Sequence, residues 1–263
     1  MAIPSVVHIA STLARCFAPP QIYVAVKPLA ERLLKLEERE VAIVSRLPFV
    51  QTRCAIDVGA NWGSYTTAML RRFDNVEAFE PIASCSSALR AYARSFRKAL
   101  VVHEIIASSE AGMKPFVIPR TSGSFSDLSG FAHVADGDEA FTRLVPCLPI
   151  DDFHFKAVDF IKIDVEGHEL EVIMGARETV ASSRPVMLIE IEQRHIREPI
   201  SERISAVESL GYAAYFFRDS KFIPFPEFEV QRDQSPSAID DRYRYVNNFF
   251  FFAIESISRY VPS

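Results

Sequence analysis

The 263-residue sequence has no run of about 18 apolar residues, the length that a membrane-spanning helix requires. Its N-terminus carries no basic segment ahead of the first apolar residues, so no secretory leader is expected. Cysteine is scarce: Cys16, Cys54, Cys85 and Cys147 are the whole set, and none stands in Cys-x-x-Cys spacing. With Cys54 in an expected central strand they read as free thiols in a reducing compartment, so no disulfides are expected and the cytoplasm is the expected location. Positive charge is also in deficit, with 29 Lys and Arg against 34 Asp and Glu, a net charge of −5 and a pI near 5.7. That balance argues against nucleic acid or an anionic membrane as the default partner and suits small molecules or neutral glycans better. Repeats and low-complexity tracts are missing. What remains is 49% hydrophobic and 24% charged, the make-up of a folded globular chain with room for one large domain or a domain with a small appendage.

One further absence bears on the ligand. The stretch Cys54-Ala-Ile-Asp-Val-Gly-Ala-Asn-Trp-Gly-Ser64 reads as a buried strand, a glycine-containing turn and the start of a helix, with Tyr65, Met69, Leu70 and Phe73 on one helical face. This is the first βα unit of a parallel sheet, and glycine lets its turn be tight and lets a ligand approach. The Gly-x-Gly-x-x-Gly pattern of a pyrophosphate-binding turn is not there, since Gly59 and Gly63 are separated by Ala60-Asn61-Trp62. About 20 positions on, Val76-Glu-Ala-Phe-Glu80-Pro81 is a second short strand ending in an acid, placed to accept hydrogen bonds from ribose hydroxyls. Asp57, a carboxylate inside an apolar strand, must be paired or hydrogen-bonded. An adenosine site without a phosphate cradle suggests S-adenosylmethionine.

Three segments carry a resemblance: Asp57-Val-Gly-Ala-Asn-Trp-Gly63, Ala78-Phe-Glu-Pro81, and Ile161-Lys-Ile-Asp-Val-Glu-Gly-His-Glu169, the last being the most specific. Together they resemble the FkbM-type methyltransferases, over about Arg53 to His195 and more loosely to Phe252. The resemblance implies an α/β Rossmann-like methyltransferase fold: a mostly parallel seven-stranded sheet with an antiparallel last strand and helices on both faces. It implies S-adenosylmethionine as cofactor and, as in most characterised members, O-methylation of a sugar or polyketide hydroxyl on a glycan, glycolipid or secondary metabolite.

The chain divides into an N-terminal helical cap, 1–50, and a methyltransferase domain, 51–263. Helical patterns cover Val7–Phe17 and about Pro28–Arg46, split by Pro19-Pro20, and these helices either cap the sheet edge, close over substrate or make a dimer contact, so a homo-oligomer stays open. Further along, Ser84–Phe96 is helical, Ala99–Ile106 is the third strand and Met113–Ile118 a β-extension. The least regular region, 119–149, is expected to be an acceptor-side lid. Val158–Asp164 is the fourth strand, Leu170 to Val180 marks a helix, Pro185–Ile191 is a strand, Ile196–Leu210 a helix, Tyr212–Phe217 a strand and Tyr245–Phe252 a final aromatic-rich strand.

Ligands in open α/β sheets lie outside the carboxyl ends of the strands. The cofactor candidates are therefore Asp57, Gly59, Asn61, Gly63, Glu80, Pro81, Ser108 in the turn after the third strand, and Asp164. Catalysis is assigned to Asp164, Glu166, His168 and His195, because methyl transfer to a hydroxyl needs a base and either histidine has an ordinary pKa of about 6.5. Lys162, Asp164 and Glu166 share one strand face if the strand continues that far, and Lys162–Asp164 is equally an ion pair of structural value alone. Asp164, Glu190 and His195 form a candidate divalent-metal set, whose oxygen-rich ligands would favour Mg²⁺ over Zn²⁺, although no compact ligand motif is present. Two other readings stand beside methyl transfer: a nicotinamide-dependent oxidoreductase, disfavoured by the missing glycine motif, and a non-catalytic methyltransferase-like binding protein.

Overall fold

The computed structural model describes residues 18–33, 38–117, 133–134, 142–239, 241 and 244–261. Its centre is a strand series of β-branched and aromatic residues buried on both faces, as a parallel sheet covered by helices requires. The N-terminal part holds helices α1 (Pro20–Leu33) and α2 (Arg39–Val44). Strand β1 (Cys54–Val58) leads into α3 (Ser64–Met69), and β2 (Asn75–Phe79) into α4 (Ala83–Phe96), followed by β3 (Leu100–His103). Short strands β4 (Ile106–Ala107), β5 (Gly112–Val117), β6 (His133–Val134) and β7 (Thr142–Leu148) come next, then β8 (Val158–Ile163), helices α5 (Glu169–Met174) and α6 (Arg177–Ser183), β9 (Val186–Glu190), α7 (Ile200–Glu208), β10 (Tyr212–Arg218), β11 (Lys221–Pro224) and β12 (Asn248–Ala253).

The large sheet has the order β11-β10-β12-β9-β8-β1-β2-β3. From β9 to β3 all neighbours are parallel, whereas β12 runs antiparallel between β9 and β10. Alternate residues feed two cores. On one face Ile56, Ile161, Met187, Phe249 and Phe251 pack with Val172 and Val180 from α5 and α6 and Ile204 from α7. On the other Ala55, Phe160, Leu188, Phe250 and Phe252 meet Val41 of α2 and Tyr65 and Met69 of α3. The motif strands thereby end at one edge of a rigid layer.

Five expectations change. The sheet has eight strands, because β10 folds back through Asp219 and Ser220, both at positive φ (49° and 62°), to pair Arg218 with Lys221 in a two-residue hairpin. Such turns favour Asn-Gly or Asp-Gly, so Asp-Ser gave little signal. The third strand stops at His103, and Ile106–Ala107 joins a second sheet of order β4-β7-β5-β6. Within the segment read as a lid, residues 142–148 are strand β7, antiparallel to β5 with Lys114 opposite Val145; 118–132 and 135–141 lie outside the described residues. Helix α1 begins at Pro20, eight residues before the expected Pro28, because proline is well suited to the first helical position. The pattern over Val7–Phe17 also lies outside the described residues. Helices α5 and α6, expected as one, break at Gly175, where a Cβ would lie 1.9 Å from the Ser108 carbonyl oxygen. Among the described residues no helix is long and apolar enough to cross a membrane, and Cys54, Cys85 and Cys147 are buried thiols in no disulfide.

Candidate active site

A cleft of about 370 Å³ opens at the carboxyl ends of β1, β2, β8 and β9, within the size range of small-molecule sites. Its floor is set by glycine. Gly59 has φ +79°, and a Cβ there would stand 1.8 Å from the Asp164 carbonyl oxygen, so the turns after β1 and β8 can only touch through a residue without a side chain. The Gly59 and Ala60 N–H groups both donate to Phe79 O, at 2.9 and 3.2 Å, which ties the same turn to the tip of β2.

Glu80 occupies that tip, 3% exposed and lining the cleft. Its Oε2 accepts from Asn61 N at 2.6 Å and its Oε1 from Ile82 N at 2.7 Å. The carboxylate is therefore fixed in direction at the edge of the cleft. Asn61 sits at φ 46°, a left-handed conformation that asparagine tolerates better than most residues. Pro81 lines the cleft beside Glu80, and its carbonyl accepts from Arg143 at 2.7 Å.

Lys162 is fully buried on β8, and four kinds of partner surround it. Its Nζ donates to Asn248 Oδ1 at 3.1 Å and Ile163 O at 3.2 Å, lies 3.6 Å from Asp164 and 3.9 Å from Glu190, and sits 4.9 Å from the Tyr65 ring centroid. Burial alone would lower the ammonium pKa, but Asp164 and Glu190 outweigh it and hold the group charged. Glu190 ends β9, lines the cleft and accepts from Asn247 Nδ2 at 2.7 Å. Burial, and then the Asp164 charge, push its carboxyl well above the usual range. Asp57 lies deeper, 1% exposed, takes a 2.5 Å hydrogen bond from Thr66 Oγ1, and is pushed up to about 6 by burial.

Of the catalytic candidates, Asp164, Glu166 and His168 line the cleft. The strand does not carry all three on one face: β8 ends at Ile163, and Glu166 and Gly167 turn sharply at φ 52° and 103°. Glu166 is thereby sent to His195, whose Nδ1 lies 2.5 Å from it, a contact that raises the imidazole pKa. Gly167 is needed there because a Cβ would come within 2.9 Å of His195 O. His168 is 8% exposed and caps α5, with Nε2 3.0 Å from Ser108 Oγ; burial lowers its pKa to about 4, so the ring is neutral at pH 7. Ser108 is fully buried against His168, while its neighbours Ile106 and Ala107 face the cleft. Gly63 faces α4 rather than the cleft, with a would-be Cβ 2.7 Å from Leu89.

The metal set does not assemble. Asp164 and Glu190 share the Lys162 ammonium and His195 is turned to Glu166, and among the described residues no three His, Cys, Asp or Glu are grouped to hold an ion. Other cleft residues escaped the sequence reading: Glu38 and Glu40 from the N-terminal region, Phe116 and Val134 from the second sheet, and Asn247 and Asn248. Only the last pair had a local signal, two amides directly ahead of an apolar strand.

The donor set fits S-adenosylmethionine: a fixed carboxylate at the β2 tip for ribose hydroxyls, aliphatic Ile106 and Ala107 for a base, and carboxylates around Asp164 for cationic groups. A profile for the methyltransferase FkbM domain matches residues 57–214. A search of curated proteins finds no significant match. Among solved structures, a methyltransferase FkbM from Methylobacillus flagellatus superposes with TM-score 0.51 at 18% identity, covering 94% of this chain and 59% of that one. This chain thus spans well under two thirds of that protein. A SAM-dependent O-methyltransferase from Thermotoga maritima gives 0.43 at 10% identity over 82% of this chain and 65% of that one. A precorrin 8w decarboxylase from Methanobacterium thermoautotrophicum gives 0.44 at 11% over 82% and 89%. With a Rossmann-like fold, the three motifs at one cleft and the domain match across most of its length, the chain belongs to the FkbM family of S-adenosylmethionine-dependent methyltransferases.

Proposed function

We propose that the protein O-methylates a sugar hydroxyl of a glycan, glycolipid or secondary metabolite. The observation that carries the cofactor half of this reading is Glu80, a buried carboxylate held by two backbone N–H groups at the edge of the cleft. Glu80 would hold the ribose hydroxyls, the Gly59–Asn61 turn would take the sugar and amino-acid portion, and Asp164 the amino group. When bound, S-adenosylmethionine supplies an electrophilic methyl group.

On the acceptor side the chain offers carboxylates and amides, namely Glu38, Glu40, Glu166, Glu190, Asn247 and Asn248, a set matched to a neutral polyol that donates many hydrogen bonds. Glu190 is the proton acceptor in this reading. Asn247 fixes one of its oxygens, and burial together with the Asp164 charge raises its proton affinity above that of an ordinary carboxylate, as a proton acceptor requires. Glu166 paired with His195 is the alternative base. His168 instead orients Ser108 and the start of α5.

Calorimetric titration with S-adenosylhomocysteine tests the cofactor half, with NAD and NADP alongside. Micromolar binding is expected, weakened about 10- to 100-fold by Glu80→Ala, since hydrogen bonds to a charged group are worth about 1.5–3 kcal/mol each. Binding of a nicotinamide nucleotide instead would overturn the reading.

A further inference from the structure

Helix α1 turns two of its three charged side chains, Lys27 and Glu31, toward the rest of the protein. Lys27 donates to Ser64 Oγ and pairs with Glu31 at 2.6 Å, and Ser64 Oγ donates to Glu31 at 3.2 Å. Tyr23, Val24 and Pro28 are buried on the same side. The outer face carries Ile22, Val26, Leu29 and Leu33, which are 41%, 50%, 53% and 74% exposed. Their spacing of four, three and four residues puts them in one stripe along the whole helix. Beside it, Arg32 is exposed.

The sequence around this stripe has the same character. No Asp or Glu precedes Glu31, so all 34 acidic residues, and with them the negative net charge, belong to the rest of the chain. Upstream the sequence holds Arg15 and the apolar pattern of Val7–Phe17, set apart from the later helical pattern by Pro19-Pro20.

We propose that the outer face of α1 docks on a phospholipid bilayer, with Ile22, Val26, Leu29 and Leu33 in the interfacial layer. A helix of this kind lies flat, its apolar face about 5–10 Å into the boundary between headgroups and acyl chains. Pairing with a second copy would call for complementary charges beside the stripe to set a register. Lys27 and Glu31 are already spent on Ser64, which leaves Arg32, a partner for lipid phosphate. A bilayer needs no register. The cleft opens nearby, because Glu38 and Glu40 line it and the five residues from Leu33 to Glu38 span at most about 18 Å. Docking thus brings the cleft to the headgroup layer and points to an acceptor sugar carried on a lipid; that last step rests on the methyl-transfer reading.

The test floats the full-length protein on a sucrose gradient with vesicles of phosphatidylcholine mixed with phosphatidylglycerol. A triple variant, Val26→Ser with Leu29→Ser and Leu33→Ser, runs alongside, its fold checked by unchanged thermal unfolding. The wild type is expected to float and the variant to lose partitioning by at least about tenfold, as three aliphatic side chains leave the lipid. Absent flotation of the wild type, or equal flotation of the variant, overturns the proposal. A concentration-dependent dimer dispersed by the same substitutions, without flotation, also overturns it and assigns the face to a second copy. The readout needs neither cofactor nor acceptor, so failed methyl transfer leaves the docking standing, and S-adenosylhomocysteine binding without flotation sinks the docking alone.

Discussion

At the scale of single residues the cleft depends on positions where a side chain is forbidden and on buried groups whose ionisation is displaced. Gly59→Ala would force a Cβ against Asp164 O in a left-handed backbone. We expect it to cost about 3 kcal/mol or more in urea denaturation, combining strain with a clash between backbones, and to abolish S-adenosylhomocysteine binding. His168 gives a pH signature. Its folded pKa of about 4 lies below the ordinary value of 6.5, so between the two the unfolded chain binds more protons. The neutral ring's contribution is fully present above pH 6.5 and fades as pH falls through 4, by up to about 3 kcal/mol. Asp57, raised to about 6 from 3.8, acts in the opposite sense over an overlapping range, because it favours the folded state at low pH. The His168 effect is therefore read as a difference: relative to His168→Gln, the wild type should lose stability from pH 6.5 downward. A parallel pair of curves would remove this account.

At the scale of elements, the turn after β8 is clamped by α7. Arg203 Nη1 donates to Gly167 O and to Glu169 Oε2, both at 2.7 Å, and Nε donates to Glu198 at 2.5 Å. Glu169 is 4% exposed, and burial raises its carboxyl to about 7 against the opposing pull of the Gly167 N–H and Arg203. Removing one partner of a buried pair costs about 3–5 kcal/mol. Since Glu169 can take up a proton when Arg203 is lost, Arg203→Ala should fall at the low end, about 3 kcal/mol in chemical denaturation. It should also loosen the 164–168 turn and weaken S-adenosylhomocysteine binding, whereas a purely local effect would leave the affinity unchanged.

At the scale of the whole molecule, β12 joins the two cores. Phe249 and Phe251 enter one and Phe250 and Phe252 the other, all fully buried. Phe250→Ala is expected to cost about 3–5 kcal/mol, the usual range for a buried phenylalanine, measured by the denaturation midpoint at constant slope. The same strand brings Asn247 and Asn248 to Glu190 and Lys162, so its loss should also disturb the cleft.

By itself the sequence determined the strand tips that carry Gly59, Glu80 and Asp164, because a tight turn, an acid at a strand end and a buried run are local patterns with local causes. It determined the succession of the main strands along the chain for the same reason, and with them the family. Tertiary structure decided which ionisable groups meet. Apart from the Lys162–Asp164 pair, which strand alternation suggests, the pairing of His195 with Glu166, of Ser108 with His168 and of Lys162 with Glu190 spans as much as 60 residues between Ser108 and His168. No period in the chain encodes such a contact. It also decided that 142–148 is a strand, since a strand that pairs with β5 across a long connection has its hydrogen-bonding partner outside any local window. The apolar outer face of α1 belongs to both: its periodicity stands in the sequence, but which of the helix's two faces is left uncovered follows only from its packing on α4.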